Sequence, residues 1–140
     1  MGRLHIRPMA RSDLPQVEAI FASYDLLRGK PLKHVFDTCS GSPGAIYLVG
    51  EMDGEVVGGL LAQFNGFHVF LSHMAVAEHV QGRGIGARMH KELEHRAKKL
   101  GAQGIIADAR MSAVGFYERL DYKIPGAVFL IRRFDTGKKD

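Results

Sequence analysis

The sequence predicts an α+β fold whose mixed sheet is antiparallel in its first part and contains a parallel pair later. Two apolar segments flank Asp53-Gly54, a pair typical of a two-residue hairpin turn. A later strand runs into a glycine-rich turn that opens an amphipathic helix, and another apolar segment, 104–107, follows that helix. Because a helical crossover joins strands that run in the same direction, the strands on either side of it are predicted to be parallel.

The individual elements are predicted from hydrophobic periodicity and from start and stop signals. In order they are a strand at 4–7, a helix from an N-cap at Ser12 to Tyr24, a helix at 32–38, strands at 46–49, 56–61 and 67–76, a helix at 85–100 that ends at Gly101, a buried strand at 104–107, a helix at 112–120 and a last strand at 128–134. About four helices therefore flank the sheet.

Length and composition predict one globular domain over 1–140, with a frayed tail at 136–140. No apolar run approaches the ~18 residues of a spanning helix, so we expect no membrane partner. Cys39 is the only cysteine, which excludes an intrachain disulfide and a thiolate zinc cluster and favours a cytoplasmic location. The seven histidines show no metal-ligand motif, so we predict no metal site.

Positive charge is concentrated in the second half of the chain. Residues 76–140 contain 13 Lys and Arg against 8 Asp and Glu, a net charge of +5, whereas residues 1–75 contain 6 against 7. This distribution indicates an anionic partner. Charge alone does not distinguish a nucleic acid from a phosphorylated cofactor.

The glycine-rich turn, Gln81-Gly82-Arg83-Gly84-Ile85-Gly86, predicts an anion site. Backbone N–H groups and a helix dipole converge where a strand turns into a helix, and glycines let an anion approach the amides. A tight turn that binds nothing is the alternative. A P-loop would need Gly-Lys-Ser/Thr after the glycines, and the sequence has no such residues there, so a P-loop is excluded. A dinucleotide site would fit Gly82-x-Gly84-x-x-Ala87 and Asp108, but a meander precedes the turn and only 32 residues follow Asp108.

Two motifs in register resemble the GNAT family of N-acetyltransferases. Gln81-x-x-Gly84-x-Gly86, after a strand that ends Met74-Ala75-Val76, is similar to the acetyl-CoA motif of that family. The segment Phe116-Tyr117-Glu118-Arg119-Leu120-Asp121-Tyr122 is similar to its Phe-Tyr-Glu-Lys-Leu-Gly-Phe helix. The element order matches over roughly residues 3–134. The resemblance implies a single-domain GNAT-like fold with the parallel pair at the cofactor site.

The resemblance also implies a set of acetyl-CoA contacts. The strand edge at Met74, Ala75 and Val76 would pair with the pantetheine, and the N–H of Met74 would bind the thioester carbonyl. The side chains of Arg83 and Arg88 would reach outer phosphates of CoA. The amides that would hold the pyrophosphate are those of Gln81, Gly82, Arg83, Gly84, Ile85, Gly86 and Ala87.

Tyr117 stands where the family has its general acid, so the resemblance implies that it lies at the cofactor and protonates the departing thiolate. A packed core tyrosine is the alternative. Phe70 stands where histone-type relatives have a catalytic Glu, and a phenyl ring cannot accept a proton. His68 is the predicted base because it shares strand parity with Phe70 and Ser72. Two alternatives for the base stay open. One is His73, which would need a β-bulge to face the same side as His68, and the other is a water relay.

The resemblance implies an acetyl-CoA-dependent N-acetyltransferase in which a primary amine attacks acetyl-CoA directly in a ternary complex. Small metabolites, polyamines, aminoglycosides and peptide amines are all open as acceptors, and the segment 24–45 would shape their pocket. Two residues depart from the family pattern. Arg110 stands where many relatives carry Asn, and Asp121 stands where Gly is usual. A nucleotide-binding oxidoreductase and a basic nucleic-acid-binding domain are the alternatives. Nucleic acid is the less favoured partner, and a homodimer stays open.

Overall fold

The computed structural model describes residues 2–124 and 129–134, and it contains the predicted mixed sheet. The five strands lie in the order β1 (Leu4–Pro8), β2 (Ala45–Met52), β3 (Glu55–Phe64), β4 (Val69–Val76) and β5 (Ile105–Ala107). Neighbours from β1 to β4 are antiparallel, whereas β4 and β5 are parallel. This confirms an α+β fold with an antiparallel meander and one parallel pair, and the sheet lacks the parallel order of a doubly wound dinucleotide fold.

The described residues form four α-helices: α1 (Leu14–Ser23), α2 (Leu32–Cys39), α3 (Ile85–Lys99) and α4 (Val114–Arg119). The predicted N-cap at Ser12 is wrong, because a 3₁₀ turn over Arg11–Asp13 precedes α1. There the carboxylate of Asp13 accepts a hydrogen bond from the N–H of Ala10 at 2.7 Å. No helix in the described part of the chain combines the length and the hydropathy that crossing a bilayer requires.

Two adjacent glycines let helices pack closely on both faces of β3. A Cβ at Gly58 would lie 2.9 Å from Cε of Met89 in α3, and a Cβ at Gly59 would lie 2.7 Å from Cγ1 of Val17 in α1. Both distances are shorter than a carbon–carbon contact allows. The central strand is therefore covered by α1 on one face and by α3 on the other.

The two helices bury the apolar stripes that their periodicity predicts. Val17, Ile20 and Phe21 of α1 are buried with Leu32 of α2 in one core cluster. The buried apolar residues of α3 are Ile85, Met89, Leu93 and Ala97. The end of α3 at Gly101 is also confirmed, because its N–H bonds the carbonyl of Lys98 at 3.0 Å and the N–H of Ala102 bonds that of Ala97 at 3.1 Å.

The chain divides into two compact units, Met1–Asp108 with the sheet and α1 to α3, and Ala109–Asp140 with α4. One domain over 1–140 stays a prediction.

The last strand predicted at 128–134 is wrong over residues 129–134, which form no strand, and Val128 lies outside the described residues. Phe129, Leu130 and Ile131 are consecutive and exposed, so they lack the alternation that buries one face of a strand. The predicted burial of 104–107 is also wrong, because β5 is the last strand of the sheet that the described residues form and Ile106 is 45% exposed.

Candidate active site

The parallel strands β4 and β5 pair over three residues and then separate. Val69, Phe70 and Leu71 lie opposite β5, and the N–H of Asp108 makes the last bond to the carbonyl of Leu71, at 3.3 Å. β4 continues to Val76, so its residues 72–76 have no strand partner on this side in the described part of the chain. The parallel pair therefore opens into a cleft with a free strand edge.

A β-bulge lies at the point where the cleft opens. Leu61 of β3 is opposite His73 of β4, but the next residue, Ala62, is opposite Leu71. Ser72 is therefore the extra residue of β4. The inserted residue inverts the alternation of the strand beyond it.

The inverted alternation decides which backbone groups face the cleft. The N–H of Ala77 bonds the carbonyl of Val57 in β3 at 2.8 Å, so odd-numbered residues in this stretch direct their backbone groups toward β3. Met74 and Val76 consequently direct theirs toward the open edge. An extended ligand at this edge would meet the N–H of Met74, which is the group that the family resemblance assigns to the thioester carbonyl.

The glycine-rich turn follows directly after this edge. Gly82 and Gly84 have φ values of +81° and +78°, in the left-handed region, and a Cβ at either would meet nothing within 4 Å. Glycine is therefore required here by the backbone conformation and leaves open space above the turn. Gly84 is the N-cap of α3, whose first intrahelical bond runs from the N–H of Arg88 to the carbonyl of Gly84 at 3.1 Å.

No side chain caps the start of α3. The N–H groups of its first turn, at Ile85, Gly86 and Ala87, therefore remain oriented toward the space above the turn. Arg83 and Arg88 are exposed on either side of them. The left-handed glycines, the uncapped helix and the two cations suit a phosphate ligand, so the residues present fit the pyrophosphate of CoA.

Tyr24, which follows the last residue of α1, links the strand edge to the turn. Its hydroxyl donates a hydrogen bond to the carbonyl of Val76 at 2.7 Å and accepts one from the side-chain amide of Gln81. Burial and the nearby charge of Glu78 raise the pKa of Tyr24, so its hydroxyl remains a donor at neutral pH. The sequence places Tyr24 at the end of a predicted helix and at the start of the segment 24–45, and neither observation indicates these two hydrogen bonds.

His73 makes a second link between β4 and the segment after α1. Its Nε2 lies 3.0 Å from the carbonyl of Leu26, which can only accept, so Nε2 carries the proton. Nδ1 then accepts from the hydroxyl of Ser72 at 2.8 Å. Burial among neighbours that include Phe21 lowers the pKa of His73 and keeps its ring neutral. Both ring nitrogens are therefore engaged.

The structure does not bring His68 to the open edge. His68 lies before the first residue of β4, and a Cβ at Gly104 would be 3.4 Å from its ring. Met74 is six residues further along the strand, a span of ~20 Å at the rise of a β-strand. His68 and the N–H of Met74 therefore lie at opposite ends of β4.

Tyr117 lies on α4, in the second compact unit. Its ring is half-buried and makes edge-to-face contacts with Phe116 at 5.2 Å and with Tyr122 at 5.3 Å between ring centroids. Asp121 has a φ of +71° and ends the helix in the left-handed conformation, which explains how this chain does without the usual glycine. The N–H of Tyr122 bonds the carbonyl of Tyr117 at 3.1 Å and closes the turn.

A glycine turn that suits a phosphate lies beside an open strand edge, an arrangement that fits an elongated, phosphorylated ligand, and the family comparison makes this class specific. Residues 14–122 match the model of the Acetyltransferase (GNAT) family. The chain belongs to this family of acetyltransferases. The resemblance drawn from the two motifs is thereby confirmed.

Individual relatives agree with the family assignment. An acetyltransferase of Yersinia enterocolitica is 27% identical over 138 residues, which cover 93% of this chain and 95% of the relative. The crystal structure of a transcriptional regulator from Bacillus halodurans superposes with a TM-score of 0.81 at 22% identity, covering 94% and 100% of the two chains. An aminoglycoside N-acetyltransferase solved in complex with CoA gives a TM-score of 0.79 at 16% identity, covering 95% and 96%. These structures show that the fold is shared.

Proposed function

We propose that the protein transfers an acetyl group from acetyl-CoA to a primary amine by direct attack in a ternary complex. The observation that carries this proposal is the edge of β4 at Met74 and at the N–H of Val76, which leads without a break into the uncapped glycine turn at Gly84. The carbonyl of Val76 on the same edge accepts the hydrogen bond from Tyr24. A strand edge suits the amide groups of pantetheine, and the turn suits a pyrophosphate. CoA contains both groups at its two ends.

The chain's own residues would hold acetyl-CoA along this path. The N–H of Gln81 bonds the carbonyl of Glu78 at 3.2 Å, so its predicted contact with the pyrophosphate is wrong. The amides from Gly82 to Ala87 would bind the pyrophosphate, and Arg83 and Arg88 would approach the outer phosphates. The N–H of Met74 would donate to the carbonyl oxygen of the thioester, where negative charge develops as the amine attacks. This single donor orients the acetyl group and stabilises the transition state.

Proton transfer accompanies the exchange of bonds. The amine nitrogen forms a bond to the carbonyl carbon, the carbon–sulfur bond breaks, and sulfur leaves as a thiolate that Tyr117 protonates. A phenol can supply this proton because it is almost fully protonated at neutral pH. The role of Tyr117 rests on its match to the family motif.

The attacking amine must lose a proton before or during attack. His68 was the predicted base, and its position at the far end of β4 favours the other two candidates. His73 lies next to Met74, but Leu26 and Ser72 occupy both of its ring nitrogens. We therefore propose a water relay to backbone carbonyls of the cleft, with His73 positioning the segment beside it.

The acceptor would enter beside the segment that follows α1. Tyr24 and His73 attach this segment to β4, and it contains left-handed backbone at Asp25, Arg28 and Gly29. The aminoglycoside N-acetyltransferase that shares this fold supports an amine acceptor of small size, and peptide amines fit the same chemistry. The acceptor class we propose is therefore a primary amine on a small molecule or a peptide.

A thermal-shift experiment tests the cofactor half of the proposal. A ligand at ~100 times its dissociation constant stabilises a protein by ~2.7 kcal/mol. We expect acetyl-CoA and CoA to raise the melting temperature clearly and NAD(H) and NADP(H) to leave it unchanged. A shift with the dinucleotides alone would contradict the proposal, as would binding of DNA or RNA without any response to CoA.

A further inference from the structure

A basic groove, which we define by residues 3–6 of the chain and by Arg88, Lys91 and His95, lies between β1 and α3, outside the cleft at β4. Its volume is about 720 Å³. The three α3 residues follow each other at intervals of three and four, so they share one face of the helix. Residues 3–6 form the β1 side of the lining.

The positive charge of the basic groove is not neutralised within the described residues. Arg3, Arg88 and Lys91 are exposed, and none has a carboxylate partner there. Glu92 is the one acidic residue of the lining, and its carboxylate binds Nε of Arg96 at 2.6 Å. A solvated protein surface ordinarily intersperses both signs of charge. The groove therefore complements an anionic partner.

One wall of the basic groove is a strand edge that pairs with no other strand of the described residues. β1 is the first strand of the sheet. The N–H of Met9 bonds the carbonyl of Tyr47 in β2 at 2.9 Å, so odd-numbered residues of β1 direct their backbone groups toward β2. The N–H and C=O groups of Leu4 and Ile6 consequently point outward. An extended peptide can pair with both kinds of group, whereas a phosphate compound can accept only from the N–H groups.

The basic side chains flank this edge on both faces of the sheet. Leu4 and Ile6 lie on the α3 face, because a Cβ at Gly50 would touch both of them and Ile85. Alternation places Arg3 and His5 on the opposite face. A strand added to β1 would direct its own side chains alternately to the two faces. Acidic side chains on one face would meet Arg88, Lys91 and His95, and those on the other face would meet Arg3 and His5.

We propose that the basic groove binds an acidic peptide segment of a partner protein, in extended conformation, as an added strand on β1. A second copy of this chain is a poor occupant, because pairing of two β1 edges would bring the basic residues of one copy, Arg3 among them, beside those of the other. The basic groove shares Arg88 with the proposed CoA contacts, and its other lining residues lie outside those contacts.

The probe is a fluorescein-labelled peptide of Glu-Thr repeats, with binding to the full chain followed by fluorescence anisotropy. We expect Lys91→Glu to weaken binding by about tenfold or more, because it reverses a charge within the groove. Lys99→Glu is the matched control: it makes the same charge change on an exposed residue at the end of α3, outside the groove, and we expect a change of about twofold or less.

Hydrogen exchange distinguishes strand addition from attraction by net charge. The peptide should slow exchange at the amides of Leu4 and Ile6, and binding should persist in saturating CoA. Equal weakening by the two Lys variants, unprotected Leu4 and Ile6 amides, or loss of binding in CoA would each overturn the proposal. It would also be overturned if inorganic polyphosphate bound at the groove and the Glu-Thr peptide did not. None of these results bears on whether acetyl-CoA binds at β4.

Discussion

Among single residues, Tyr117 has the most specific chemical role in the proposed reaction. Tyr117→Phe removes one hydroxyl and keeps the ring that contacts Phe116 and Tyr122. General acid catalysis typically contributes ~10²–10⁴-fold, and a thiolate is a fair leaving group without help, so we expect kcat to fall about 30-fold or more. The KM for acetyl-CoA and the melting temperature should change little. Steady-state kinetics and thermal melts measure all three.

The pairing of kinetics and melting separates the acid from a packed core tyrosine. Lost activity together with a large fall in melting temperature would support a packing role for Tyr117. Unchanged kcat in a normally folded variant would reject the acid assignment. Tyr47→Phe is the control, because it removes the hydroxyl of a tyrosine outside the cleft. Burial raises the pKa of Tyr47, as expected for a tyrosine packed in a core. We expect kcat to stay unchanged in this variant.

The burial of His73 predicts that the free energy of unfolding depends on pH. Folding lowers its pKa below the ordinary 6.5, mainly through burial, so below that pH the unfolded chain binds the proton first. The contribution of His73 to the free energy of unfolding should be complete well above pH 6.5 and should be lost progressively as the pH falls below that value. His90, whose pKa burial also lowers, acts in the same direction.

The variant that tests this is His73→Gln, which keeps a donor for the carbonyl of Leu26 but cannot be protonated. Urea denaturation at several pH values should show a smaller loss of stability in this variant than in the wild type. The exposed His34→Gln is the matched control and should follow the wild type. A wild-type pH dependence in His73→Gln would show that His73 is not the group responsible.

At the scale of elements, the start of α3 is where conformation and ligand binding meet. Gly84→Val places a β-branched residue at a φ of +78° and two methyls near the amides of the turn. We expect acetyl-CoA affinity to fall tenfold or more, ~1.4 kcal/mol, in calorimetric titrations. Gly101→Val is the matched control, because Gly101 has a φ of +86° and open space at the other end of the same helix. Equal losses in both variants would assign the effect to strain alone.

The packing of α1 and α3 on β3 predicts unequal costs for two similar substitutions. A Cβ at Gly59 meets Cγ1 of Val17 at 2.7 Å and the ring of Phe21 at 3.2 Å, both in a close-packed core. Gly59→Ala should lower the free energy of unfolding by ~1–3 kcal/mol, as overpacking does. Gly58→Ala should cost less, because the nearest atom is the flexible end of Met89. Denaturant titration measures both, and a larger loss for Gly58→Ala would contradict this account of the core.

At the scale of the whole molecule, the elements with strong periodicity were predictable. The α3 stripe, the Asp53-Gly54 turn and the parallel pair all follow from local patterns, and the structure contains each of them. The segment 128–134 was not predictable in the same way, because a strand depends on a partner and its apolar residues show no alternation. The homodimer and the single domain remain predictions.

The candidate site shows the same division between local and long-range information. The glycine turn was predictable, because φ preference and helix start are local properties. The hydrogen bonds from Tyr24 to Val76 and between His73 and Leu26 join residues 52 and 47 positions apart. No local sequence pattern predicts such pairs. The Ser72 bulge is similar: it results from the pairing of two strands, and it changes which residues face the cleft.

The central claim, acetyl transfer from acetyl-CoA to an amine, is tested most directly by following free thiol release from acetyl-CoA against a panel of primary amines. The panel should include a polyamine, an aminoglycoside and peptides with free N-termini or lysines. The account predicts thiol release that depends on at least one amine, with the acetylated amine detected by mass spectrometry in equal amount. Tight binding of acetyl-CoA with no amine-dependent thiol release across the panel would contradict it.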